Sequence, residues 1–139
     1  MSVPAMDNVL TIDGVRFPVK DASFRTHGKT WDLEVNGSRA DVEPGSVWWG
    51  LDPRLYTEAA PLALDPAATR SVFAMDLPEP SDGEWLFMLY VHEHEWVTSC
   101  RGVLSRMDDG YHFQADGTAS IMGAPCTFKI STRMLRLLE

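Results

Sequence analysis

The sequence is poor in the features that identify most functional classes at sight. It has only two cysteines among 139 residues, too few for a disulfide framework, and we expect Cys100 and Cys126 to be free, buried thiols. Its longest apolar run has seven residues, Trp85 to Val91, whereas a membrane helix needs about 20. The first residues show no basic and apolar signal-peptide pattern. We therefore expect a cytoplasmic protein that does not enter a membrane.

Motifs of the common catalytic machineries are also absent from the sequence. There is no Gly-x-Ser-x-Gly nucleophile elbow and no glycine-rich phosphate loop. Cys100 stands in a strand-like segment, where a single cysteine is usually a packed core residue rather than a nucleophile. Asp108-Asp109-Gly110 lacks the spaced carboxylates of a calcium loop and indicates a turn. The pattern favours a protein that is not an enzyme and needs no cofactor.

Acidic residues, in contrast, are abundant and unevenly distributed. The formal net charge is −8, and residues 41–95 alone contribute −9, with 11 Asp and Glu against Arg54 and Arg70. An acidic surface attracts basic partners and repels the phosphates of nucleic acids. We therefore expect a basic protein partner and no binding to nucleic acid.

Turn-forming dipeptides separate short segments in which apolar residues alternate. Asp-Gly and Asn-Gly pairs supply the positive φ values of tight turns. There are five: Asp13-Gly14, Asn36-Gly37, Asp82-Gly83, Asp109-Gly110 and Asp116-Gly117. No long amphipathic helix pattern is present, and the apolar run 85–91 is typical of a central strand with both faces covered. The sequence predicts an all-β fold with little helix, an antiparallel β-sandwich or partly open β-barrel of about 7–10 short strands.

Proline is concentrated in the middle of the chain. Six of the nine prolines lie between residues 44 and 80. Long irregular connections are uncommon in compact domains and are often functional. Because a domain has roughly 150 residues, we interpret residues 1–139 as a single β domain and residues 44–80 as a proline-rich, acidic, irregular excursion from it.

The segment His92-Glu93-His94-Glu95 is the most distinctive local motif. On one strand, His92 and His94 would project to the same face and supply half of a metal site. The pair resembles the His-x-His of cupin metal enzymes, which implies a metal-binding β-barrel protein or enzyme. However, the glycine that precedes the cupin motif is missing, and Thr98 occupies the position of the cupin glutamate. A solvated four-residue hairpin loop is the favoured interpretation.

The acidic middle of the chain also holds the candidate contact residues. The adjacent Trp48 and Trp49 would point to opposite sides of a strand, which leaves one of them for the surface. Tryptophan is enriched in protein interfaces. We predict a partner-binding surface composed of acidic residues and one tryptophan: Glu43, Trp48, Asp52, Asp76, Glu79 and Asp82.

Three functions follow as hypotheses. The first is a non-enzymatic protein-binding module with an acidic, tryptophan-bearing surface, such as an immunity or antitoxin-type inhibitor of a basic toxin, because acidic complementarity speeds the capture of a cationic partner. The second is a metal-binding protein or enzyme that uses His92 and His94. The third is a structural subunit of a ring or tube assembly, which fits an all-β pattern equally well.

Overall fold

The structure is a computed structural model that describes residues 8–27, 30–38, 50, 52–60, 67–76, 87–91, 94–108, 110–121 and 123–138. In these ranges the chain forms nine β-strands: β1 (Val9–Ile12), β2 (Val15–His27), β3 (Thr30–Gly37), β4 (Arg54–Ala60), β5 (Arg70–Asp76), β6 (Phe87–Tyr90), β7 (His94–Met107), β8 (Gly110–Ile121) and β9 (Ala124–Leu137). The same ranges contain no helix, so the predicted all-β class is confirmed. Accordingly, none of the described residues belongs to a helix that is long and apolar enough to span a membrane.

The strands form one sheet that closes into a barrel of eight strands. Each strand of the meander β1-β2-β3-β4-β6-β7-β8-β9 pairs with the next, and β9 pairs with β1 to complete the ring. The remaining strand, β5, is not part of this ring of eight. It pairs with β7, which also pairs with β6. The closed barrel replaces the sandwich or partly open barrel expected from the sequence, because the register of β9 on β1 joins the two ends of the sheet.

The seam of the barrel lies at the short strand β1. This strand has four residues and pairs antiparallel with both β2 and β9. Past its end, β2 and β9 meet directly in a short parallel pairing that begins with Ala22 opposite Leu135. Asn8 fixes this transition, because its Oδ1 accepts hydrogen bonds from Thr132 Oγ1 (3.1 Å) and from the Arg133 amide (2.9 Å).

Four strands are longer than the sequence pattern predicts. β2, β7, β8 and β9 have 13, 14, 12 and 14 residues. Bulges interrupt several pairings, including the pairing of β3 with β4, where Thr57 Oγ1 accepts a hydrogen bond from the Leu33 amide at 3.0 Å. A bulge bends a strand and increases its twist, which lets long strands wrap around a small barrel.

Alternate residues of each strand point into the barrel and form the core. An interior of eight strands is just wide enough for side chains to fill it, and the largest fully buried side chains do so: Leu10, Ile12, Phe17, Phe24, Leu33, Leu55, Leu89, Leu104, Phe113 and Phe128. Position 117 requires glycine, because a Cβ on Gly117 would collide with the Ser99 carbonyl oxygen and the Phe128 ring. A partner of the barrel must therefore make its contacts on the outside.

The turn predictions had mixed outcomes. Asp13-Gly14 joins β1 to β2 with φ values of 48° and 83°, and Gly110, with φ 129°, begins β8 after the β7–β8 turn. Asp116-Gly117, however, lies inside β8, so that turn prediction was wrong; the glycine is needed there for its small size. Asn36-Gly37 ends β3, and Asp82-Gly83 lies outside the described residues.

The apolar run 85–91 and the proline-rich segment 44–80 were predicted to be a central strand and an irregular excursion. The apolar run 85–91 supplies β6, which is a central strand between β4 and β7, as predicted. Its outward side chains Met88 and Tyr90 are only half-buried, so one face is covered rather than two. Residues 44–80 contain the regular strands β4 and β5, and residues 44–49, 51, 61–66 and 77–80 lie outside the described ranges.

Candidate functional site

Aromatic side chains and one arginine lie side by side on the outer surface of β4, β6 and β7. We call this surface the aromatic face, and its five members are Arg54, Tyr56, Met88, Tyr90 and Trp96. Strand pairing places Arg54 opposite Tyr90, Tyr56 opposite Met88, and Met88 opposite Trp96. The residues that alternate with them are buried in the core, so the five side chains point outward. All five are half-buried.

The guanidinium of Arg54 lies over two of the rings of this face. Its Cζ atom lies 5.0 Å from the centroid of the Tyr56 ring and 5.7 Å from that of the Tyr90 ring, distances at which a cation is attracted to an aromatic face. Its Nη1 donates to Glu34 Oε1 at 3.4 Å. The Tyr56 hydroxyl donates to Met88 Sδ at 3.5 Å. These contacts connect Arg54 to Tyr56, Tyr90 and Glu34, and Tyr56 to Met88.

One polar atom of the cluster has no hydrogen-bond partner in the described part of the chain. Arg54 Nε is buried and unpaired, and an unpaired buried donor costs roughly 1–3 kcal/mol. The ion pair with Glu34 offsets little, because the two side chains are 40% and 44% exposed and exposed pairs contribute about 0–1 kcal/mol. Arg54 thus adds little net stability to the barrel, which suits a residue placed for recognition.

A groove of about 460 Å³ adjoins the aromatic face on β2, β3 and β4. Its charged lining residues are Arg25, Asp32, Glu34 and Arg54, and Leu138 borders it. Arg25 lies opposite Asp32 in the β2–β3 pairing, so charges of both signs alternate across the groove. Polar and charged side chains of this kind are typical of the rim of a protein interface.

The predicted acidic contact residues are only partly described. Asp52 is exposed and lies two residues before Arg54, the first residue of β4. Asp76 is exposed at the end of β5, opposite Ser99 on β7. The remaining four, Glu43, Trp48, Glu79 and Asp82, lie outside the described residues. A common surface formed by all six stays a prediction.

The acidic excess is carried by residues that the structure does not describe. The described side chains include ten basic and nine acidic residues, whereas the whole chain has 12 and 20. The remaining side chains therefore hold two basic and eleven acidic groups. Eight of these acids lie between residues 41 and 93: Glu58 is in β4, and the other seven are in the segments that precede, connect and follow β4, β5 and β6 in the sequence.

The side chains of the candidate metal ligands His92 and His94 lie outside the described residues, so the metal site stays a prediction. The backbone of His94 is described, and it begins β7 opposite Tyr90. The predicted four-residue loop is shorter than expected, because Glu95 belongs to β7 and points into the barrel with 7% exposure. Among the side chains that are described, no three His, Cys, Asp or Glu converge as a metal site would require.

The two thiols are free and buried, as predicted. Burial, with a smaller effect of the Asp116 charge, raises the pKa of Cys100 to about 12. Burial and the Asp13 charge raise the pKa of Cys126 to about 11. A thiol must lose its proton to act as a nucleophile, so neither cysteine is activated for catalysis at neutral pH.

Sequence reasoning missed the aromatic face. Its members come from three strands, and only the pairing register brings residue 54 next to residue 90. A weak signal was present, since Arg54-x-Tyr56 and Met88-x-Tyr90 each have the period-two spacing of side chains on one side of a strand.

The chemistry of the aromatic face follows from its own side chains. No protein-family model, curated protein or solved structure matches the chain. The five residues include no carboxylate, imidazole or thiol, the groups that most often act as bases and nucleophiles. The face offers aromatic rings, a cation and a thioether, which are groups that can bind a partner.

Proposed function

We propose that the protein is a non-enzymatic binding module that engages a basic protein partner through the aromatic face and the acidic segments joined to its strands. The observation that carries this proposal is the position of Arg54, half-buried between Tyr56 and Tyr90 on the outside of the barrel. Its contribution to the fold is small, whereas its contribution to recognition would be large.

The composition of the aromatic face supports a role in protein binding. Tyrosine, tryptophan and arginine are the residues that most often carry the binding energy of protein interfaces. Met88 adds a polarizable side chain that adapts to the shape of a partner. Because the strands and the Arg54 contacts already hold the cluster, a partner would lose little affinity to the ordering of these side chains.

The acidic segments support a basic partner. They enter and leave the strands that carry Arg54, Tyr56, Met88 and Tyr90, and clustered charge of one sign accelerates the association of an oppositely charged protein. An immunity or antitoxin-type inhibitor that blocks a basic toxin is the specific form of this proposal, since such an inhibitor needs affinity and speed but no catalytic residues.

Affinity capture from the native host tests the proposal. Wild-type protein and a Tyr56→Ala/Tyr90→Ala variant serve as baits. We expect the wild type to retain a basic protein that the variant loses, with binding weakened by about 2 kcal/mol or more, because truncation of hot-spot residues costs this much. Binding of the purified partner is then quantified by titration calorimetry.

A matched control uses two other large exposed side chains. Val72 and Met107 are 63% and 50% exposed on β5 and β7, outside the aromatic face. The Val72→Ala/Met107→Ala variant should retain the partner as the wild type does. Equal retention by all three baits, each with a native thermal transition, would rule out the aromatic face as the binding surface.

A further inference from the structure

The strand β5 is an edge strand of the sheet. Within the described ranges it pairs only with β7, and it ends the order of the strands. All seven of its residues, Arg70–Asp76, pair with β7 in one unbroken register, without the bulge that turns many edge strands away from further pairing. The strand also contains no proline and no glycine. β5 therefore has a regular edge of the kind to which another strand can be added.

The backbone hydrogen bonds identify the residues that face this edge. The Arg106 amide donates to the Thr69 carbonyl oxygen at 2.8 Å, and hydrogen-bonded positions alternate along an antiparallel pair. Residues 71, 73 and 75 therefore exchange hydrogen bonds with β7. The amides and carbonyls of the alternate residues point away from β7 and are available to an added strand: Arg70, Val72, Ala74 and Asp76.

The inward face of β5 packs the strand onto the barrel. Phe73 is 7% exposed, and its ring stacks on the Phe113 ring with 6.1 Å between the centroids. The neighbouring position on β7 requires glycine, because a Cβ on Gly102 would lie 2.7 Å from the Phe73 ring. A partner of β5 would therefore bind along its edge and its outward face.

The outward face of β5 is apolar at its centre and carries opposite charges at its two ends. Val72 is 63% exposed, more than any other large hydrophobic side chain of the described residues, and Ala74 is exposed beside it. Arg70 and Asp76 are exposed at the first and last positions of the strand. Neither of them makes an ion pair within the described part of the chain.

This arrangement makes β5 complementary to itself. In an antiparallel pair of two β5 strands with Phe73 at the centre, Arg70 of each copy lies opposite Asp76 of the other. Val72 of each copy lies opposite Ala74 of the other. This register also joins edge residue to edge residue, so that their amides and carbonyls exchange hydrogen bonds. Opposite charges that face each other across two strands stabilise the pairing, and a shift by two residues in either direction would separate them.

We propose that two copies of this chain form a dimer by antiparallel pairing of their β5 strands around a two-fold axis at Phe73. Addition of a strand to an exposed sheet edge is a recurrent mode of recognition, in which the main chain supplies affinity and the side chains supply specificity. Charge complementarity of Arg70 and Asp76 is the argument for a second copy as the occupant. The contact uses the same patch on both copies, so it closes at the dimer. It contains no residue of the aromatic face and goes beyond the proposed function.

Sedimentation velocity of the purified full chain tests the proposal. One pair of strands buries less surface than a standard interface of about 1,600 Å², so we expect a weak dimer whose fraction rises with protein concentration. The mass should approach that of two chains and grow no further. A protein that stays monomeric up to about 1 mM, where only contacts weaker than about 4 kcal/mol escape detection, overturns the proposal. Growth beyond the dimer also overturns it.

Two charge reversals test the register. Arg70→Asp places aspartates opposite each other at both ends of the pairing, and Asp76→Arg does the same with arginines. Each variant alone should therefore associate at least about tenfold more weakly than the wild type. Arg133→Asp makes the same change in net charge as Arg70→Asp at an exposed arginine of β9 and should dimerise as the wild type does. Equal weakening by Arg70→Asp and Arg133→Asp would contradict a specific contact at β5.

An equimolar mixture of the two defective variants is the sharpest test of the pairing. In the mixed pair every aspartate of the Arg70→Asp chain faces an arginine of the Asp76→Arg chain. The mixture should therefore dimerise although each component alone does so poorly. A mixture that associates as weakly as its components overturns the antiparallel register.

A backbone variant tests the edge itself. Ala74→Pro removes an amide that points away from β7, a position at which an edge strand tolerates proline, so the thermal transition should stay near that of the wild type while the dimer is lost. Dimerisation of this variant at the wild-type level would show that the contact lies elsewhere. If the wild type is monomeric yet binds a foreign basic protein through its tyrosines, the dimer is refuted and the proposed function stands.

Discussion

Arg54 is a residue whose effects on the stability of the fold nearly cancel, and its proposed role is in recognition. Its guanidinium lies over Tyr56 and Tyr90, which contributes about 0.5–1 kcal/mol for each ring at partly exposed sites. Its buried Nε has no hydrogen-bond partner among the described residues. The missing hydrogen bond costs roughly 1–3 kcal/mol of folding free energy. The two effects are of similar size and of opposite sign.

Replacing Arg54 by methionine should therefore separate stability from binding. Arg54→Met removes the unpaired donor and keeps much of the apolar volume, so the free energy of unfolding should stay within about 1 kcal/mol of the wild type. Partner binding should weaken at least about tenfold. Urea denaturation and calorimetry measure the two quantities, with Arg70→Met as the control for loss of an exposed arginine. A loss of stability well above 2 kcal/mol would make Arg54 a structural residue.

The buried thiol of Cys100 predicts a specific dependence of stability on pH. Its pKa is raised from 9.0 to about 12, chiefly by burial. Because the folded state favours the protonated thiol, this contribution is complete below pH 9.0 and is lost as the pH rises towards about 12.

Comparison with Cys100→Ala isolates this effect from the titration of other groups. Between about pH 8 and about pH 10.5, the free energy of unfolding should fall more steeply for the wild type than for the variant. Parallel pH profiles in chemical denaturation would show that the thiol ionises as easily in the folded chain as in the unfolded one.

At the scale of elements, bulges decide how the strands wrap around the barrel. The bulge between β3 and β4 depends on Thr57, which is 2% exposed and accepts a hydrogen bond from the Leu33 amide. This hydroxyl supplies the Leu33 amide with an acceptor beside the shifted register.

Thr57→Val keeps the shape of the side chain and removes the acceptor. The buried Leu33 amide is then unpaired, so the variant should lose about 1–3 kcal/mol of unfolding free energy. Thr57→Ser retains the hydroxyl and should lose clearly less. Equal destabilisation of the two variants in urea would show that packing of the methyl group, rather than the hydrogen bond, is what matters at this bulge.

The elements differ in how far the sequence predicts them. Local signals were sufficient for Asp13-Gly14, where the turn depends on the two residues themselves, and for the apolar strand β6. Local signals gave a wrong turn prediction for Asp116-Gly117. The sequence alone does not distinguish a glycine that a turn requires from a glycine, such as Gly117, that is required for close packing against Phe128. Strand length also escaped prediction, since bulges allow a strand to continue past an apparent break.

At the scale of the whole molecule, the barrel and the aromatic face depend on contacts between distant parts of the chain. Closure requires β1 to pair with β9, and the face requires β6 to lie between β4 and β7. Composition and periodicity determine which residues point in or out of a strand, but they do not determine which strands are neighbours. For this reason the all-β class could be predicted, whereas Arg54 and its tyrosine neighbours could not.

Charge and aromatic contacts should act on different steps of the proposed binding. Acidic segments should act mainly on the rate of association, and the aromatic face mainly on the rate of dissociation. In the proposed complex, a basic partner would approach under long-range attraction and would then be retained by the tyrosines and Arg54.

Surface plasmon resonance with the purified partner tests this central claim most directly. Raising the salt from about 0.05 M to about 0.5 M should slow association of the wild type and of Tyr56→Ala/Tyr90→Ala by similar factors of at least about tenfold. At either salt concentration, the variant should dissociate at least about tenfold faster than the wild type. Association that is indifferent to salt, together with equal dissociation rates for the two proteins, would contradict the account.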